Sequence, residues 1–321
     1  MTNTSYTSLK GVTEIGDSLL GNQLEHGIIA FFQWGLLGIG GFFNNEDGTN
    51  AYGYNPAQLR ASEDMNFATE TGKSKVWEGR RLDWVWESGV DYANGSPIGI
   101  SGVTVGGTYY PLETAGNYSH YIDYPLGRVV FGSGIPTTET VKCNHSSRWA
   151  SFTTADAEWF KRILTNSNRD QGFGISGSGE RAWGGGGRVE LPAVAVECVP
   201  MRVFQPLQLG GGQILRQDVT FTVIAETVWE RNNLIDLITF QSDKTFYIYD
   251  LNQVLENDDF PLDYRGTKVN NNQYPDLVDG AYRYKKCRLE NMRTQETGII
   301  NNYLFGGVVR ATIYVEMADL V

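Results

Sequence analysis

The sequence predicts an α+β protein, an antiparallel sheet with flanking helices that also carries an inserted all-β domain. Three observations lead there. Long segments of the C-terminal half alternate apolar and polar residues, the pattern of strands buried on one side. Two stretches, one near the N-terminus and one between those strands, repeat apolar residues at helical spacing. From about residue 75 to 153, short β-prone runs are separated by glycine and proline turns.

The first helix is predicted from "SLLGNQLEHGIIAFF", where Leu20, Leu24, Ile28 and Phe31 fall on one face. The uncharged run 27–43 then reads as the end of that helix followed by a glycine-rich apolar loop. It is not expected to span a membrane: it is short, rich in glycine, interrupted by Gln33 and has no flanking lysine or arginine. In "GISGVTVGGTYYPL", Gly106 and Gly107 form a two-residue hairpin turn. In "YIDYPLGRVVF", Pro125 and Gly127 turn the chain between two strands. A helix is expected again at "TTADAEWFKRIL", where Thr153 and Asp156 have capping-box spacing.

Beyond it, three strands follow from alternation: Val194, Val196 and Cys198; Val219, Phe221, Val223 and Ala225; Val309, Ala311, Ile313 and Val315. Between the second and third, "WERNNLIDLITFQ" reads as a helix with Leu234, Leu237, Ile238 and Gln241 on one face, and "KTFYIYDL" as another strand. The expected organisation is an N-terminal helix within 1–45 that belongs to the core domain, an inserted β-domain over 46–153, and an α+β core over 154–321.

Several chemistries are excluded on residue types and spacing. Twenty-six basic against 37 acidic residues give a net charge of -11, the wrong sign for a protein that grips nucleic acid over a wide surface. Cys143, Cys198 and Cys287 share no metal-ligand spacing with His26, His120 and His145, so neither metal nor cofactor is expected, and the compartment reads as reducing. No secretory leader is expected. The glycine-rich stretch 171–188 contains a literal G-x-G-x-x-G (Gly172, Gly174, Gly177), but a helix and a polar run precede it and a strand follows. A dinucleotide site needs the reverse order. The stretch reads as a loop that orders against a neighbour. There is no nucleophile elbow and no H-E-x-x-H. Carboxylate pairs such as Glu46-Asp47 and Asp258-Asp259 sit in polar loops, and a glycosidase would need two carboxylates facing one cleft. The many tryptophans suit core packing, subunit contacts or a carbohydrate-binding face equally.

The C-terminal half, with "LPAVAVECV", "QDVTFTVIAETVWERNNLIDLI" and "GGVVRATIYVEM" following an N-terminal helix, resembles the tail terminator proteins of long-tailed bacteriophages. More locally, "YIDYPLGRVVF", "WERNNLIDLITFQSDKTFYIYDLN" and "FPLDYRG" look like segments of virion structural proteins from contractile-tailed phages. The resemblance covers residues about 10–35 and 186–317 and rests on element order. Residues about 45–150 have no counterpart in a minimal terminator.

The resemblance implies a non-enzymatic structural protein of the virion, assembled in the host cytoplasm. It would form a hexameric ring at the head-tail junction that terminates the tail tube and joins it to the neck. The implied partners are other copies of the chain, tail tube and neck or connector proteins, and sheath, with DNA passing through the lumen without specific binding. Candidate subunit-interface residues are Arg181, Arg188, Arg216, Arg231 and Arg265 against Glu190, Glu230, Asp236 and Asp263, for which solvated surface charge is the plainer alternative. Other stations, a baseplate or fibre-attachment component or a carbohydrate-binding virion module, remain as alternatives.

Overall fold

The computed structural model describes residues 14–62, 68–70, 72–87, 95–157, 160, 190–208, 211–301 and 304–317. Helix α1 (Leu20–Gly38) leads into short strands β1 (Phe42–Asn45), β2 (Arg60–Ala61), β3 (Ala68–Glu70), β4 (Lys73–Glu78), β5 (Gly102–Val105), β6 (Thr108–Pro111), β7 (His120–Asp123), β8 (Arg128–Pro136), β9 (Val141–Lys142) and β10 (His145–Arg148). Then come β11 (Ser151–Thr154), β12 (Ala193–Gln208), β13 (Gly211–Ala225), α2 (Val228–Thr239), β14 (Thr245–Tyr249), α3 (Leu251–Glu256), α4 (Tyr274–Asp279), β15 (Arg283–Asn301) and β16 (Leu304–Met317). The fold is mixed α and β, mostly sheet, with several antiparallel sheets.

The largest sheet runs β11-β12-β13-β16-β15-β14. Its alternating strands send Val194, Val196, Val219, Phe221, Ala311 and Ile313 to one side, where they form one core with Leu24 and Ile28 of α1 and Leu234 and Ile238 of α2. Both helices therefore cover the same face, driven by apolar area removed from water. The opposite face carries Glu197, Arg216, Asp218, Arg310 and Glu316, all exposed. A small cluster of Ala193, Ala195, Ile224 and Leu304 with Phe160 closes one end of that face.

α1 continues to Gly38, past the point where a glycine-rich loop was expected. The helix persists because Phe32, Leu36 and Leu37 are buried and because Gly27 brings it against β14: a Cβ there would lie 2.3 Å from Ile248 Cγ2. No helix among the described residues is long and apolar enough to cross a membrane.

Thr153 does not cap a helix. It lies in β11, which pairs in parallel with β12, Thr153 opposite Ala195; Asp156 instead accepts a hydrogen bond from the Thr154 hydroxyl. Apart from Phe160, the apolar face expected for that helix lies outside the described residues. β11 thus belongs to the large sheet although the boundary was expected at 153, while β1 pairs with β10.

The remaining strands build a second core. β2-β4-β8-β7, with β3 alongside β4, form one sheet and β6-β5-β9 another, enclosing Leu59, Trp77, Trp84, Val103, Val129 and Phe131. Gly106 and Gly107 (φ 56 and 88) make the predicted hairpin turn. Trp77 and Trp84 are 2% and 0% exposed, so they pack this core and leave no stacking face.

Candidate functional site

The two cores meet around a cavity of about 270 Å³. Its larger-sheet wall is apolar and aromatic, with Ile29 of α1, Tyr249, Phe260 and Tyr274; its β-domain wall is charged, with Asp83, Glu87 and Arg148. Arg148 ends β10, where pairing with Phe42 of β1 fixes its backbone and its N–H donates to the Asp83 carbonyl at 3.0 Å. Its side chain is 3% exposed. Nε donates to Asp83 Oδ1 at 3.2 Å and Nη2 to both Glu87 oxygens at 2.7 and 2.6 Å. Ser151 Oγ, from β11, donates to Asp83 Oδ2 at 2.8 Å. Asp83 holds a left-handed backbone, φ 51, which a short polar residue tolerates better than most.

Removing charges from water costs several kcal/mol per ion, so the cluster is tenable only because opposite charges meet with hydrogen bonds. Burial pushes the Asp83 carboxyl above its ordinary range, and Arg148 and Ser151 offset this only in part. Burial pulls the Arg148 guanidinium down, but Glu87 and Asp83 outweigh it and hold it charged. His26, at the cavity's rim on α1, is also pushed down by burial, with Asp156 opposing. Arg148 Nη1 and Thr153 Oγ1, from residues that line the cavity, have no hydrogen-bond partner among the described residues.

Chemically, the arrangement knits Asp83, Glu87 and Arg148 together inside the β-domain, and the Ser151 hydroxyl of β11 is its tie to the large sheet. A glycosidase needs one carboxyl that holds a proton and a second that is free to act; here both carboxylates face one cavity but accept from a single guanidinium. No group of histidine, cysteine and carboxylate side chains among the described residues is arranged to hold a metal. The three cysteines are buried.

The charged residues expected at subunit contacts are distributed differently. Glu190 is turned inward: it pairs with Arg81 at 3.4 Å and accepts from the Leu82 N–H at 3.2 Å, a second tie between the domains. At the start of α2 the Glu230 N–H donates to the capping Thr227 hydroxyl, which in turn donates to the Glu230 carboxylate. Arg231 is 8% exposed and bonds the neighbouring Asn232. Asp263 and Arg265 pair with each other at 2.8 Å within one turn. Arg216, 5.8 Å from the Tyr314 ring, and Asp236 on α2 are exposed. Arg181 and Arg188, with the glycine-rich stretch, lie outside the described residues.

Sequence reasoning missed Asp83, Glu87 and Arg148. The available signal was "DWVWE", two carboxylates bracketing an apolar run, which a buried segment accommodates only with a cation nearby. No protein-family model matches the chain, and no curated protein matches it in sequence.

Proposed function

We propose that this protein is a structural component of a long-tailed phage virion that forms an oligomeric ring at the head-tail junction, ending the tail tube and joining it to the neck. One observation carries the proposal. An N-terminal helix and α2 lie on one face of a sheet in which a proline-led strand pairs with a long strand leading into a helix and a last strand closes the chain. That is the element order of the tail terminator proteins. The opposite face, charged with both signs and open, suits contact with other building blocks or a water-filled lumen past which DNA moves weakly held. The β-domain, bound to the sheet through Asp83 with Ser151 and Arg81 with Glu190, is an addition that would project from the ring.

Negative-stain microscopy of the purified protein and immunogold labelling of virions test the proposal. Rings, and label at the head-tail junction, are expected; particles without rings and virions unlabelled there would overturn it. The β-domain, with its own core, favours a second station at the baseplate or at a fibre attachment, which label at the far end of the tail would identify.

A further inference from the structure

The margins of a β-sheet carry backbone groups that a chain must cover, leave to water or offer to another chain. In the large sheet some margins are covered. Along β11, the Phe152 carbonyl accepts from Gln33 Nε2 at 3.2 Å; along β14, the Tyr247 carbonyl accepts from the Tyr274 hydroxyl at 2.7 Å. Two stretches have no such cover among the described residues. One is β12 over Arg202–Gln208, which pairs only with β13; the other is β15 over Arg293–Asn301, which pairs only with β16.

The β12 stretch is also apolar in the wrong place for a solvated edge. Met201 is 70%, Phe204 51% and Val203 48% exposed, and Leu19 of the adjoining α1 start is 56% exposed. Pro206 lies within this paired stretch, opposite Gln213. Proline is tolerated in a strand where its nitrogen faces away from the partner. Arg202, Phe204 and Gln208, which share its side, therefore direct their backbone groups outward. On the opposite margin of the sheet, the turn after α2 bonds β15 through Asp243 and Leu289 and exposes Phe240 to 79%.

The two open stretches are of different strands, on opposite margins and at opposite ends of the sheet: Gln205 lies in the row of Glu316, Ile299 in that of Phe305. β12 and β15 run in opposite directions, since each is separated from the next by antiparallel steps through β13 and β16. Two copies in the same orientation, offset along the strands so that these ends coincide, thus bring the edges together antiparallel, as in the sheet itself. A two-fold pairing of β12 with β12 would cover one margin and leave the other open; head-to-tail contact covers both. Both strands are locally irregular, β12 between Cys198 and Arg202 and β15 at several points, which discourages flat, indiscriminate edge pairing.

We propose that copies of this chain join head to tail by strand addition, the outer edge of β12 at Arg202–Gln208 in one copy pairing with the outer edge of β15 at Arg293–Asn301 in the next. This rests on the ring proposed above and names the surface that closes it.

Sedimentation velocity across a concentration series tests it with Phe204→Pro, which removes an outward N–H, beside Phe204→Ala, which removes only the ring. Association is expected to weaken about tenfold more for F204P than for F204A. F204P retains its β15 edge, so mixed with the wild-type chain it should cap growing assemblies and reduce their mass. If F204P assembles like the wild type, strand addition is wrong, while rings and junction label leave the virion role standing. If F204P neither assembles nor caps, the pairing is two-fold and the head-to-tail proposal falls. If the wild-type chain stays monomeric and labels no junction, both fall. Hydrogen exchange on the wild-type chain keeps the question open to refutation should F204P fail to fold. Amides in 202–208 and 293–301 are expected to slow at least about tenfold on concentration, and unchanged exchange in either stretch overturns the proposal.

Discussion

Replacing Arg148 with Met leaves Asp83 and Glu87 buried at the domain junction without their cation. In the native arrangement the guanidinium, 3% exposed, makes hydrogen bonds of 3.2, 2.7 and 2.6 Å to carboxylates whose side chains are 17% and 4% exposed. Solvent screening is slight at that depth, and breaking a buried pair from one side costs about 3–5 kcal/mol. The loss should depend on pH in a defined direction. Asp83 is pushed above its unfolded value, so its contribution is greatest at low pH, where it is protonated in both states, and is lost as pH rises through its folded value. Without Arg148 that value rises further. Urea unfolding followed by the fluorescence of Trp84 and Trp86 is therefore expected to show a larger penalty at pH 8 than at pH 5. Adding Asp83→Asn and Glu87→Gln should recover at least about half of it, since the uncompensated charges are then gone. A penalty below about 1 kcal/mol, or one that is the same at both pH values, would refute the view that this cluster stabilises the fold through compensated buried charge.

Two further substitutions probe separate parts of the fold. His145 is 1% exposed, stacks on Trp84 at 4.0 Å and donates from Nδ1 to the Cys143 carbonyl at 2.9 Å. Burial pulls it to about 4, so its contribution is whole above the unfolded value near 6.5 and lost as pH falls through the folded one. Stability should fall by up to about 3 kcal/mol over that window, His145→Phe should flatten the slope, and an unchanged slope in acid titration of the variant would refute the assignment. Gly27→Ala gains about 1 kcal/mol of helix propensity but drives a Cβ to 2.3 Å from Ile248, so a net loss of about 1–2 kcal/mol is expected. Gly35→Ala, with nothing within 4 Å, should gain about 0.5–1 kcal/mol; thermal melts of the two variants that move in the same direction would contradict the packing of α1.

What was legible in the sequence follows from which forces act locally. The strands of the large sheet could be read because one of their faces is buried and the other wet, so Val219, Phe221 and Val223 alternate with Thr220 and Thr222. The sequence reads α1 as ending near Phe32 because Gly35 and Gly38 in an apolar run look like loop; the helix continues instead because Leu36 and Leu37 are buried. β11 could not be read at all, since its partner β12 is distant in sequence and Thr153 and Asp156 imitate a cap. The Arg148 cluster was hidden for the same reason, its carboxylates being brought in from another segment by the bridge of Trp84 with Ser147 of β10.

The charged residues expected at subunit contacts show a stricter limit. Sign and spacing reveal that a charge needs company but not whether the company comes from the same chain. Glu190, Glu230, Asp263 and Arg265 find theirs within it, because an intramolecular partner carries no cost in translational and rotational freedom and a neighbouring copy does. Side-chain charge is thus satisfied locally wherever the fold permits. A strand edge has no such escape once its sheet is complete: its outward groups are fixed by the backbone, and only a side chain such as Gln33 or Tyr274, water or another strand can meet them. Where β12 has none of the first among the described residues and sets Met201 and Phe204 beside the gap, the strand edge is a stronger sign of a missing neighbour than any exposed arginine on the surface.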